Sequence, residues 1–443
     1  MLMRDARGAA TMNGLRLEDV LRQSSSRRTA SSESYEPVRT EQAARTPAYV
    51  YDLDAITDAA RALIAGFDGT PHLVAYAVKA NTAGPIVKAL GRVGCGAEVV
   101  SGSELMVALG CDIAADAILF SGVAKTNVEI DQAIGAGDRG ILALQLESVE
   151  EIPRVVARAK ALGRKARVSI RVNPDILADT HAHVATGHDE AKFGIAIEDL
   201  ESAFAAIDSA PNEIELVGIG CHIGSQMTKV DEYVASAEVV LGLVARRQKV
   251  RALELVDFGG GFGIDYGAGC PAKPADFARA VAQLVRQSGL GGLRIVVEPG
   301  RCLVAPFGVL CASVLMTKQS RSKGITRRWM MIDAGMNDLI RPALYAAKHR
   351  IEPIDALPAV EGTGVPMRVV GPVCESSDDF GEHAFCEPLP STVVIRDAGA
   401  YGYVMASEYN GRALPAEMFL SGGKVVAVHE SRTREEWAAS RIF

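Results

Sequence analysis

The stretch Val74-Ala75-Tyr76-Ala77-Val78-Lys79-Ala80-Asn81 decides how the chain is read. Small and apolar residues lead up to one lysine, and the run stops at Asn81 and Thr82. The pattern predicts a buried strand followed by a helix start. A lysine at the carboxyl end of such a strand costs free energy unless it is paired or used chemically. One use is a Schiff base with a carbonyl, formed by an amine that apolar surroundings hold neutral. The other reading is a strand-end lysine whose stem lies on apolar surface while its head reaches water.

Outward from this stretch, short apolar runs recur at 72–78, 97–100, 117–121, 141–146, 166–172, 216–222, 253–258 and 293–297. Segments between them, such as 148–162 and 230–248, carry helical spacing with charges on one face. Strand and helix alternating eight times predicts an α/β fold, a TIM-like (β/α)8 barrel. A doubly wound sheet is the alternative, because strand number alone does not show closure. Beyond Pro306 the texture changes to strand runs at 308–315, 329–332, 367–370, 392–395 and 424–428, separated by Gly and Pro turns. That is a C-terminal, mainly β domain. The expected organisation is a barrel over 47–306 and a β domain over 307–443, with 47–55 adding a strand to the β domain. Residues 1–46 are expected to form a disordered N-terminal extension, because Ser24-Ser25-Ser26-Arg27-Arg28-Thr29-Ala30-Ser31-Ser32 is almost devoid of apolar residues. Within it, 14–23 has the spacing of one short amphipathic helix. No apolar stretch follows Arg27-Arg28 as a signal peptide requires, and Asp5, Glu18, Asp19, Glu33 and Glu36 argue against a transit peptide.

The 443 residues are 48% hydrophobic and 23% charged, an ordinary globular balance. A net charge of −7 gives no electrostatic case for nucleic acid or an anionic membrane as partner, and no apolar run approaches the length of a membrane span. Eight cysteines without a C-x-x-C pair suit a reduced, cytoplasmic chain.

In (β/α)8 barrels, chemistry sits at the carboxyl ends of the strands and phosphate often sits on the last two loops. The seventh run ends in Asp257-Phe258-Gly259-Gly260-Gly261-Phe262-Gly263 and the eighth in Glu298-Pro299-Gly300-Arg301. Consecutive glycines let backbone N–H groups approach a phosphate, although the same residues also make a flexible turn. The G-x-G-x-x-G spacing of a dinucleotide site is absent. The sixth run ends in His222-Ile223-Gly224-Ser225-Gln226. There an imidazole can pack on a flat cofactor and Ser225 can donate to a phosphate oxygen; a purely structural histidine is the other reading. Lysine, phosphate cradle and carboxylate together point to pyridoxal 5'-phosphate, with Glu298 favouring a protonated pyridine ring and hence a strong electron sink.

These motifs carry a resemblance. With Cys374-Glu375-Ser376-Ser377-Asp378, Thr180-His181, Thr186-Gly187, Lys192-Phe193-Gly194-Ile195, Arg341-Pro342-Ala343-Leu344-Tyr345 and Gly399-Ala400-Tyr401-Gly402, the chain resembles the fold-type III pyridoxal-phosphate decarboxylases. That group has an alanine racemase-like fold, and the nearest match within it is the diaminopimelate decarboxylase family. The likeness runs from about Pro47 to the C-terminal end. It implies that Lys79 carries the cofactor and His222 stacks on its ring. Ser225, Gly259, Gly260, Gly261, Gly300 and Arg301 lie about the phosphate, and Glu298 pairs with the pyridine nitrogen. Arg301, Arg341, Tyr345 and Glu375 bind the far end of the substrate, Tyr401 touches both cofactor and substrate, and Cys374 donates the proton to Cα. The Cys374-Glu375 segment comes from a neighbouring subunit, which implies a homodimer with a shared active site.

The reaction so implied is decarboxylation of meso-2,6-diaminopimelate to L-lysine and CO2, the last step of lysine biosynthesis. Two arginines and a glutamate suit a distal group bearing both carboxylate and ammonium. Alternatives are a decarboxylase for D-ornithine, D-lysine or carboxynorspermidine, an amino-acid racemase, or a non-catalytic cofactor-binding protein. Departures from the family pattern are Glu98, where aspartate is frequent, Lys348, and the segment 379–386. His181, His183 and His188 lack the register and the carboxylate partners of a metal site, so no metal is expected.

Overall fold

The computed structural model describes residues 1–23, 45–173, 192–222, 224–360 and 362–442. Two compact units emerge: Thr57–Asp265 with Gly269–Leu303, and Met1–Ile56 with Tyr266–Ala268 and Val304–Phe443.

The first unit is a closed barrel of eight parallel strands. They are His72–Ala77, Gly96–Val99, Ile118–Phe120, Ala143–Leu146, Ala166–Val172, Ile214–Cys221, Leu255–Gly260 and Arg294–Glu298. Closure runs from the eighth strand to the first through Ile295 opposite His72, Val296 opposite Leu73 and Val297 opposite Val74. The doubly wound alternative is thereby removed. The strands read as continuous apolar runs because a parallel sheet is covered on both faces. Inside, Leu73, Ala75, Leu119, Leu142, Ala143, Val217, Leu255 and Val296 pack into one cluster. Outside, each helix buries one stripe: Pro274–Gln287 turns Phe277, Ala278, Val281, Ala282 and Val285 inward. Local chemistry sets the helix limits. Thr126 and Glu129 form a reciprocal capping box that starts Asn127–Gly135. Gly163, at φ 61°, ends Glu151–Leu162 in a left-handed cap.

The second unit is mainly β. Its principal sheet runs in the order Asp379–Phe385, Val365–Val370, Ile325–Ile332, Gly308–Ser322, Ala48–Asp52, Ala416–Ser421, Lys424–His429. Ala48–Asp52 is buried throughout, antiparallel to Gly308–Ser322 and parallel to Ala416–Ser421. It is a central strand of this unit.

The expected disorder over 1–46 is corrected for its first half. Met3–Arg4, Ala10–Met12 and Leu15–Arg16 form a small sheet, and Leu17–Arg22 is a helix. Leu2, Ala10, Met12, Leu17, Val20 and Leu21 join the same core as Val50, Val309 and Met418. Arg4 donates from Nη1 to the Pro353 carbonyl at 2.8 Å, and Asn13 Nδ2 donates to Asp52 Oδ1 at 2.8 Å. The polar run at 24–32 dominates the composition of the segment and obscures these apolar residues; that run lies outside the described residues. Leu17→Ala is therefore expected to destabilise the β unit by about 3 kcal/mol, in the range of buried leucine truncations. Urea unfolding followed by tryptophan fluorescence measures it, since Trp329 and Trp437 both belong to this unit. An unchanged midpoint would show that the packing is dispensable.

Candidate active site

Polar side chains gather at the carboxyl ends of the barrel strands, where Glu98, Ser121, Gln145, Asp257 and Glu298 are all buried. Lys79 stands in the short turn Val78–Ala80 that follows the first strand. The turn is held by Tyr76, whose hydroxyl donates to the Asn81 carbonyl at 2.9 Å, and by Asn81 Oδ1, which accepts the Ala83 N–H at 3.0 Å. Lys79 Nζ donates to Glu98 Oε2 at 2.7 Å. Glu98 is fully buried, and its Oε1 has no hydrogen-bond partner among the described residues.

On the neighbouring eighth strand, Glu298 Oε2 lies 3.6 Å from His222 Nδ1, and Oε1 accepts from Ser121 Oγ at 3.5 Å. His222 Nδ1 also lies 3.2 Å from the Gly260 backbone nitrogen, whose N–H points at it and fixes the ring's orientation. Burial alone would raise the Glu298 carboxyl, but His222, Lys79 and Arg171 reverse that and hold it at about 2. Asp257 goes the other way: burial, then the charge on Glu298, push it well above the usual carboxylate range. Asp257 accepts the Gly259 N–H at 2.9 Å and the Gln145 amide at 3.0 Å. The two buried carboxyls are thus pushed in opposite directions, Glu298 down and Asp257 up.

The glycine turn admits no side chains. Gly261 has φ 89°, and a Cβ there would stand 2.3 Å from the Gly224 carbonyl oxygen. A Cβ on Gly260 would lie 1.9 Å from the Glu298 carbonyl oxygen. Gly300 packs directly on the lysine turn, its Cβ position 2.9 Å from that of Ala80. Arg301 Nη2 donates to Ser225 Oγ at 2.9 Å, tying the loops after the sixth and eighth strands together. The barrel thus assembles Lys79, His222, Ser225, Gly259, Gly260, Gly261, Glu298, Gly300 and Arg301 at one end.

In the β unit, Arg341 opens the short helix Arg341–Tyr345 and is almost entirely buried. Its guanidinium lies 5.4 Å from the Tyr266 ring centre and 6.0 Å from those of Tyr345 and Tyr401. Cys374 and Glu375 are exposed and stand on a separate segment. The Cys374 N–H donates to Asn410 Oδ1 at 2.7 Å, and Glu375 Oε1 accepts from the Tyr409 hydroxyl at 2.6 Å.

Sequence reading did not assign Glu98, Ser121, Gln145, Asp257 or Tyr266 to a site. The signal for the first four was present as a polar residue at or near the carboxyl end of an otherwise apolar run. Thr180, His181, His183, Thr186, Gly187, His188 and Ile223 lie outside the described residues.

Pyridoxal 5'-phosphate fits this donor set. There is a primary amine at Lys79, an ionised buried carboxylate at Glu298 and an imidazole whose orientation is fixed by Gly260. Beside them is a turn in which only glycine leaves room. The model of the pyridoxal-binding domain of pyridoxal-dependent decarboxylases matches residues 53–305. Diaminopimelate decarboxylase of Zymomonas mobilis is 38% identical over 398 residues, which is 88% of this chain and 91% of that protein. The enzyme of the same name from Pseudomonas aeruginosa is 39% identical over 399 residues, 88% of this chain and 90% of its own. Among solved structures, diaminopimelate decarboxylase from Helicobacter pylori, complexed with L-lysine, superposes with a TM-score of 0.79 at 36% identity, covering 90% of this chain and 98% of that one. The chain therefore belongs to the pyridoxal-phosphate-dependent decarboxylases and, within them, to the diaminopimelate decarboxylase family.

Proposed function

We propose that the chain decarboxylates meso-2,6-diaminopimelate to L-lysine and CO2. The observation that carries this reading is Glu298, whose carboxyl is held low in a buried position on the strand next to the one that leads into the Lys79 turn. When bound, pyridoxal phosphate would supply an electron sink for the pair left on Cα as the carboxylate departs as CO2. Lys79 Nζ holds the cofactor, and Glu98 receives the hydrogen bond of that amine whenever it is free. Glu298 keeps a negative charge where the ring nitrogen is to be protonated, which a neutral or cationic residue would not do. His222 would pack on the ring, its own orientation set by the Gly260 N–H. Ser225, Gly259, Gly260, Gly261 and Gly300 hold the phosphate, with Arg301 orienting Ser225. Arg301 and Arg341 hold the distal carboxylate and Glu375 the distal ammonium; Tyr345 binds the same end, and Tyr401 contacts both cofactor and substrate. Cys374 Sγ gives the proton to Cα, so that the carboxylate lost is replaced by hydrogen.

The exposure of Cys374 and Glu375 supports a homodimer in which this segment serves the other copy's site. All eight cysteines are free thiols, which supports a reducing, cytoplasmic location. Purified protein is expected to be yellow, and borohydride is expected to fix the cofactor on Lys79. The deciding measurement is CO2 release from meso-diaminopimelate, D- and L-lysine, D- and L-ornithine and arginine. Release from the monocarboxylate diamino acids, with none from diaminopimelate, would overturn the substrate; a colourless protein without adduct would overturn the site.

A further inference from the structure

The residues that hold Cys374 and Glu375 form a second, organised element of the β unit. Three ties join the loop 409–412 to the segment 372–375. Tyr409 donates its hydroxyl to Glu375 Oε1 at 2.6 Å, Asn410 Oδ1 accepts the Cys374 N–H at 2.7 Å, and Arg412 Nη2 donates to the Pro372 carbonyl at 3.1 Å. From the inner side, buried Asp378 accepts the Val373 N–H at 2.6 Å and the Met336 N–H at 2.7 Å. The segment is thus gripped on both sides while the Cys374 and Glu375 side chains stay exposed. The loop has its own support. Glu408 accepts from Arg432 at 2.5 Å and from Arg441 at 2.7 Å. The Trp437 ring of the C-terminal helix Arg434–Ala439 lies 3.0 Å from where a Cβ on Gly411 would sit.

We infer that Tyr409 and Asn410 are positioning residues for the decarboxylation, Asn410 aiming the Cys374 thiol and Tyr409 orienting the Glu375 carboxylate. The inference rests on the roles proposed above for Cys374 and Glu375. Exposed hydrogen bonds of this kind add little to stability, so their main effect is on direction. With Oε1 of Glu375 engaged by Tyr409, Oε2 is left to meet a cation. With the Cys374 N–H engaged by Asn410, the backbone from which Sγ projects is fixed. Asn410 has φ 56°, a left-handed conformation that asparagine, aspartate and glycine tolerate. Asn410→Gly therefore removes the acceptor without strain, and Asn410→Asp keeps an acceptor in place.

The test uses the full-length holoenzyme with two readouts. One is kcat and KM on meso-diaminopimelate. The other is the rate at which iodoacetamide alkylates Cys374, read by peptide mass spectrometry against the exposed Cys386 of the same chain. Asn410→Gly is expected to lower kcat about tenfold with little change in KM, and to change the Cys374-to-Cys386 alkylation ratio about threefold, whereas Asn410→Asp restores both. Tyr409→Phe is expected to raise KM about tenfold and leave kcat nearly unchanged. Cys374→Ala separates this inference from the reading beneath it. Full turnover in C374A overturns the role of Cys374 and the inference with it. Slowed turnover in C374A, together with wild-type kinetics and alkylation in N410G, overturns the positioning role alone.

Discussion

Replacing Lys79 with alanine is expected to reduce decarboxylation by on the order of 10³-fold or more and to leave a protein that borohydride no longer labels. On the role proposed for Lys79, the amine that would hold the cofactor is then gone; Lys125, which follows the third strand, has its Nζ bound to the Gly122 and Gln145 carbonyls and to Glu151. A second effect is on stability. Nζ of Lys79 lies 2.7 Å from Glu98, whose side chain is 0% exposed against 36% for the lysine. Removing the lysine leaves a buried carboxylate without its counter-charge, and one of its oxygens already lacks a partner. Breaking a buried pair costs about 3–5 kcal/mol; the partial exposure of Lys79 puts this case at the lower end, about 2–3 kcal/mol. Adding Glu98→Gln to Lys79→Ala is expected to recover most of that loss without recovering activity. Urea unfolding of wild type, both single variants and the double variant gives the coupling directly. A Lys79→Ala protein as stable as wild type would show that Glu98 gains nothing from the pair.

Replacing Glu298 with glutamine is expected to lower kcat by about 10²-fold or more, because a neutral amide cannot hold a proton on the cofactor ring. The same substitution is expected to change the pH dependence of stability. Burial acts to raise Glu298, yet His222, Lys79 and Arg171 hold it at about 2 in the folded chain, below its ordinary 4.5. A carboxylate depressed in this way stabilises the fold above its unfolded value, and that contribution is lost as pH falls from about 4.5 towards 2. Its size is on the order of 3 kcal/mol. Asp257 works in the opposite sense. Raised by burial and by the charge on Glu298, it stabilises the fold below its ordinary 3.8, and that contribution is lost as pH rises through its elevated value. In Glu298→Gln the first contribution disappears and the charge that elevates Asp257 is removed. The stability difference between wild type and variant is therefore expected to shrink as pH falls below 4.5. Urea midpoints at pH 7, 5, 4 and 3 measure it, and a difference that does not vary with pH refutes the depression of the Glu298 carboxyl.

The barrel was legible because a strand covered on both faces must be an unbroken apolar run, and the helices between must be apolar on one stripe. The seventh run was read as 253–258 and is observed as Leu255–Gly260, so Gly259 and Gly260 belong to the end of the strand and not only to the turn. The N-terminal residues misled because disorder was inferred from composition averaged over a segment. Leu17, Val20 and Leu21 needed only a few apolar positions to dock.

Sequence by itself determined the eight-fold strand and helix pattern, the β character of the C-terminal part, and the residue types that pyridoxal-phosphate chemistry requires. These depend on local periodicity and on motifs that each occupy a few consecutive positions. Tertiary structure alone decided that Glu98 is the partner of Lys79, that Asp257 is buried beside Glu298 and raised by it, that Ala48–Asp52 lies between strands more than 250 and 360 positions away, and that Tyr409 and Asn410 hold Glu375 and Cys374. The physical reason is that burial pattern is a property of neighbours along the chain. Which charges and donors meet depends instead on strand register and loop closure, which bring distant residues within hydrogen-bond distance only once the fold is complete.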